Sequence, residues 1–146
     1  MYGYIWGEPV RRVFETLPYG YALQTSLHAD SVDEGVRVVT QGIGIPDEQV
    51  STFKLVLYIQ RFGEAGNYWR RLSEVFEVER INGGRPEGRT LFRWNAADDS
   101  FEQLASPRQF GDPDGIARRA SVIEEMTAAG RRSPDDVLEA VRALHG

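Results

Sequence analysis

The chain contains no cysteine, two histidines and, among 17 basic residues, a single lysine, Lys54. Without thiols there is no disulfide framework, no thiolate metal site and no cysteine nucleophile, which fits a reducing, cytoplasmic setting. His28 and His145 are the only imidazoles, so a dedicated transition-metal site is not expected. No apolar run approaches the ~20 residues needed to span a bilayer, and the N-terminal residues lack the basic head of a signal peptide. Surplus positive charge is missing too. A net charge of −5 argues against a nucleic-acid binder, which needs a basic face. Also absent is the G-x-x-x-x-G-K-[ST] loop that cradles nucleotide phosphates. Lys54 stands in "STFKLVL", with no glycine-rich loop before it.

What is present is ordinary globular material. With 146 residues, 41% hydrophobic and 27% charged, the chain suits one domain with a real core. "YGYIW" (Tyr2 to Trp6) reads as a buried strand. Val10, Val13, Phe14 and Leu17 then recur at helical spacing, and Pro18 to Gly20 end that helix. "ALQTSLH" reads as a second short strand. Ser31 with Glu34 three residues on is a capping-box pattern, followed by a stripe of Val32, Val36 and Val39. His28 therefore falls between a strand end and a helix start, the position where α/β proteins bind ligands.

"GIGIPDE" is a loop from which Pro46 opens a short helix. "KLVLYIQRF" reads as a buried strand. "WRRLSEVFEVERI" alternates, with Leu72, Val75 or Phe76, Val78 and Ile81 on one imperfect face. Asn82-Gly83-Gly84 is a hairpin signal; "RTLFRWN" returns, and Asp98-Asp99 turns the chain into "SFEQLA". After Ser106 come two helices. The first buries Ile116, Ala120, Ile123 and Thr127 and stops at Gly130. The second starts at Ser133-Pro134-Asp135-Asp136 and buries Val137, Leu138, Val141 and Leu144.

Five of these segments, in order, resemble the C-terminal half of type II/IV secretion-system ATPases, especially the archaeal pilus and archaellum motors. "TSLHADSVDEGVRVVT" is similar to the family's His box, and "IGIPDEQVSTFKLVLYIQR" to its isoleucine-proline helix and following strand. "YWRRLSEVFEV" resembles the Arg-Arg-x-x-Glu strand, "LFRWNAADDSFEQLAS" the Phe-x-Trp hairpin, and the last two helices a closing helical pair. The resemblance implies an α/β fold over residues 1–146: a partial RecA-like core over 1–62, an antiparallel β-hairpin unit over 63–105 and a helical end over 106–146.

It also implies roles. His28 takes the His-box position near a nucleotide's terminal phosphate, the alternative being an ordinary surface or core histidine. Arg70 and Arg71 resemble the family's paired arginines, with an inter-subunit phosphate role or, equally, exposed strand positions that hold carboxylates. An ungapped alignment puts Tyr4 at the Walker B acid, whereas a gapped one puts Glu8 there. The ungapped register keeps the helix length and leaves Glu8 as an ordinary helix-start carboxylate. With the phosphate loop missing, the expectation is a truncated relative, inactive alone, with no cofactor of its own. ATP and magnesium would act only if a partner chain completed the site. Expected partners are pilus or secretion motor components, a full-length or N-terminal-half ATPase, or further copies of the chain. Nucleic acid is not expected, and the membrane is met only indirectly, through a platform protein. The alternative is an interaction module that binds a secretion or pilus component without nucleotide chemistry.

Overall fold

Four strands form an antiparallel meander in the order β1 (Leu55–Glu64), β2 (Asn67–Asn82), β3 (Arg85–Asn95), β4 (Ser100–Gln103). They are seen in a computed structural model that describes residues 5–109 and 112–145. The β2–β3 connection follows from its residues: Gly83 and Gly84 both take positive φ, 59° and 72°. That is the type I′ geometry whose twist matches the flanking strands. Ser73 is skipped in the β1–β2 register, and two further irregularities interrupt β2–β3.

Helices α1 (Glu8–Thr16), α2 (Val32–Arg37) and α3 (Asp47–Val50) cover one face of this sheet. Phe14, Val36, Ile43, Ile45 and Val50 pack with Val78 and Ile81 of β2, and Val56 and Phe76 lie half-buried against them. Each such side chain contributes about 1.5–3 kcal/mol when fully buried. Phe14 meets Phe53 edge to face, with centroids 5.5 Å apart. Polar ties fix the helices. Ser31 Oγ caps α2 by accepting from Glu34 N at 3.1 Å. Gly84 N donates to both carboxylate oxygens of Asp47, at 3.2 and 3.1 Å, so the hairpin turn is held on α3.

The expected α/β, partly RecA-like core does not form. Among the described residues the only sheet is antiparallel, and the strand expected to belong to a parallel core, "KLVLYIQRF", is instead β1 of the meander. "ALQTSLH" takes no regular structure and pairs with no strand among the described residues. Extended propensity supplies no partner, and a strand exists only where another backbone takes its N–H and C=O groups. Tyr2 to Tyr4 of "YGYIW" lie outside the described residues, and Ile5 and Trp6 are exposed coil. β1 is not buried throughout either: Val56, Tyr58, Gln60 and Phe62 are half-buried and alternate with exposed neighbours. An edge strand covered on one face has that pattern.

The chain divides into two compact units after Gln109. In the second, α4 (Pro113–Ala128) and α5 (Pro134–His145) begin and end as their residues dictate. Asp112 caps α4 by accepting from Gly115 N at 2.8 Å. Gly130, at φ 69°, closes it, with Gly130 N on Thr127 O and Arg131 N on Met126 O, a Schellman motif. The burial differs from the sequence reading. Ile116, Ile123, Val137, Leu138 and Val141 are exposed, whereas Val122, Met126, Ala140 and Leu144 are half-buried. Two helices side by side share only a narrow seam, and the broader apolar stripe exceeds it.

Ser133 and Asp136 cap α5 reciprocally: Asp136 N donates to Ser133 Oγ at 3.2 Å, and Ser133 N and Oγ donate to Asp136 Oδ2 at 2.9 and 2.7 Å. The Ser133 hydroxyl and amide, then Arg131, lower the Asp136 carboxyl from 3.8 to about 2. A depressed carboxyl contributes stability that is complete above 3.8 and disappears as pH falls through about 2. Helicity of α5, followed by circular dichroism, is therefore expected to fall across that window. Asp136→Asn should lack this acid transition and show lower helicity at neutral pH.

Candidate functional site

The distal end of the β1–β2 hairpin gathers most of the side chains with chemistry to offer. Gly63, near the end of β1, and Gly66, in the Ala65-Gly66 turn, take φ of 89° and 92°, and a Cβ on Gly63 would lie 2.4 Å from Asn67 O. The strands therefore separate into a tight pair with Phe62 opposite Trp69, Arg61 opposite Arg70 and Gln60 opposite Arg71. Phe62 stacks on Trp69 at 4.6 Å, and Trp94 of β3 meets both rings, at 5.1 and 5.7 Å.

Arg71 lies over Trp69, 4.9 Å from the ring centroid. Its Nε and Nη2 donate to Asp99 Oδ1 and Oδ2 at 2.7 and 2.8 Å, the two-point geometry of a guanidinium on a carboxylate. Trp94 Nε1 adds a third donor to Asp99, at 2.8 Å. Arg71 first, and Trp94 next, lower the Asp99 carboxyl from 3.8 to about 2, while Asp99 raises Arg71 above its usual value. Asp99 holds this geometry from a left-handed backbone, φ 53°. Asp98 does turn chemistry, accepting from the amide and hydroxyl of Ser100.

Arg70 is placed differently. Arg70 and Arg61 both lie against Tyr68, at 4.9 and 5.6 Å from its centroid. Neither makes an ion pair with a described residue. Like charges directly opposite on adjacent strands destabilise a sheet. Here the Tyr68 ring, under both guanidinium groups, offsets part of that repulsion.

No protein-family model matches this chain, and no curated protein sequence matches it.

The remaining candidate residues are dispersed. His28 is exposed on the irregular segment before α2, while Arg70 and Arg71 sit on β2. Glu8 opens α1 and accepts from Arg11 and Arg12, whose guanidinium groups, Arg12 foremost, hold its carboxyl below the ordinary range. It is a surface helix-start residue. Tyr4 lies outside the described residues. Lys54, the one lysine, donates to Ser51 O at 3.4 Å just before β1. These residues do not fit a cradle for ATP and magnesium, because Lys54 follows Ser51-Thr52-Phe53 and not a glycine-rich run of backbone amides. Among the described residues, no helix is long and apolar enough to cross a membrane.

Two features of the structure escape sequence reasoning. One is the partner of Arg71, Asp99, and the Trp94 donor that completes the lock. The other is Glu77, wholly buried on β2, which accepts from the backbone amides of Arg108 and Gln109 at 2.9 and 2.8 Å. The Arg61–Arg70 and Phe62–Trp69 pairs were findable, since both sit symmetrically about the Ala65-Gly66 turn.

Proposed function

We propose that this chain is an interaction module of secretion- or pilus-motor ancestry that carries out no nucleotide chemistry by itself. The observation that carries this reading is the open arginine pair. Arg71 is neutralised within the sheet by Asp99, so it is a structural clasp and not a free phosphate ligand. Arg61 and Arg70 instead present two guanidinium groups over Tyr68 at the exposed end of the hairpin. Paired guanidinium groups suit carboxylates, so the matching surface on a motor component is acidic. The segments that resemble the secretion ATPases supply the α3–β1 and β2 parts of this unit, in keeping with a docking role for it.

Two measurements test this. Purified chain should turn over ATP no faster than a His28→Ala control, with or without magnesium, and faster turnover would overturn the reading. Mixed with pilus or secretion motor components, the chain should bind one of them. Arg61→Glu with Arg70→Glu should weaken that binding at least about tenfold, as expected when like charges are brought together. Unchanged binding would remove the arginine pair from the interface.

A further inference from the structure

β1 ends the sheet, and its free edge is unusual in what it leaves open. Natural edge strands are kept from pairing by proline, lysine, shortness or a bulge in the edge strand itself. β1 runs ten residues, Leu55–Glu64, without proline or lysine. The bulge beside it lies in β2, at Ser73, so the alternation of β1 continues from Leu55 to Phe62. Leu55, Leu57 and Ile59 are exposed by 39%, 56% and 58% on successive outward positions.

The edge is also self-complementary. Val78 N donates to Lys54 O at 3.0 Å, so Lys54 and the even-numbered residues turn their backbone groups toward β2. The odd-numbered residues from Leu55 to Arg61 turn theirs outward, because the two sets alternate in an antiparallel ladder, whereas Gly63, at φ 89°, departs from it. Among the described residues no other backbone group reaches them. A two-fold axis on an odd-numbered residue therefore matches outward donors with outward acceptors. An axis on Ile59 centres the pairing on the regular stretch around it, Leu55 to Phe62. It sets Ile59 against its own copy, Leu57 beside the other Ile59 diagonally, and Val56 against Phe62. At each end it sets Lys54 opposite Glu64, an opposite-charge pair.

We propose that β1 pairs antiparallel with β1 of a second copy about an axis through Ile59, joining the two sheets edge to edge. A single strand pair buries less than the ~1,200 Å² of a stable interface, so the dimer should be weak, with Kd on the order of tens of micromolar.

Analytical ultracentrifugation over a concentration series reads the equilibrium. Ile59→Pro removes one outward N–H and none of the β2 ladder, a placement an edge strand tolerates. It should leave the fold intact by circular dichroism and abolish the dimer. Lys54→Glu should raise Kd about tenfold, and adding Glu64→Lys should restore it. Register is read by cross-linking, which the absence of native cysteine makes clean. Ile59→Cys should form a disulfide dimer on mild oxidation. Leu57→Cys should not, because its copy lies ~14 Å along the strand. A monomer at all concentrations overturns the proposal. So does a dimer that ignores the charge swap, or one that cross-links equally through Leu57→Cys.

Discussion

Gly88→Ala is expected to lower the stability of the first unit by at least about 3 kcal/mol, the upper part of the range for overpacked sites. Gly88 pairs with Val78 in the β2–β3 ladder, beside one of its irregularities. A Cβ there would lie 2.0 Å from Glu77 O and 3.0 Å from both Glu77 C and Phe76 Cε1. The nearest obstacle is backbone in the middle of the sheet. It cannot rotate away as a side-chain end would, so relief requires the two central strands to part. Measured against a typical domain stability of about 5–15 kcal/mol, that is a large fraction. Gly44→Ala is the informative control. Gly44 has φ 83° and open space around its missing Cβ, so it should cost only the ~1–2 kcal/mol of left-handed backbone. Urea unfolding of both variants makes the comparison, and equal losses would show that space at Gly88 is not what matters.

Glu77→Ala should cost a similar amount, for an electrostatic reason. The Glu77 carboxylate is fully buried. It accepts from Arg108 N at 2.9 and 3.1 Å and from Gln109 N at 2.8 Å. Arg89 Nε stands 3.5 Å away as an ion pair without hydrogen-bond geometry, and has no other partner. Gln109 Nε2 also reaches Val78 O, so the segment after β4 is fastened to β2 at two adjacent residues. Removing the carboxylate strands the amides of Arg108 and Gln109, at about 1–3 kcal/mol for each buried donor left unpaired, while Arg89 keeps its bond to Glu79. Glu77→Gln keeps the shape and one acceptor and should lose about half as much, since an amide carries no charge. Amide exchange localises the effect. In both variants Arg108 and Gln109 should exchange fastest relative to the parent, and unchanged protection there would mean the carboxylate does not hold the segment.

Neither residue announces itself in the sequence. Glu77 stands in "SEVFEVER", where Glu74, Glu77 and Glu79 look alike. Glu74 accepts from Thr90 on β3, Glu79 is exposed and paired with Arg89, and Glu77 is buried. What separates them is the face each takes, and a shift of one residue in register exchanges the faces. The irregularities at Tyr58/Ile59, Val75/Phe76 and Val78/Arg80 each make such a shift. The Arg71–Asp99 clasp spans 28 residues for the same reason. It depends on where β3 and β4 place Asp99, not on anything near Arg71.

Local chemistry was legible from the residues themselves. The Ser31 and Ser133 caps, the Gly130 stop and the Gly83-Gly84 turn all formed where the sequence places them. Each is decided within a few residues, by a hydroxyl that reaches an orphan amide or a glycine that accepts positive φ. Partnership was not legible. "ALQTSLH" and "KLVLYIQRF" both favour extended backbone, yet among the described residues only the second has a strand to pair with. Which extended segment joins a sheet, which of its faces is covered and which carboxylate is buried are settled by the free energy of the whole packed unit. That sum includes contacts between residues far apart in the chain, and no short window of sequence contains it.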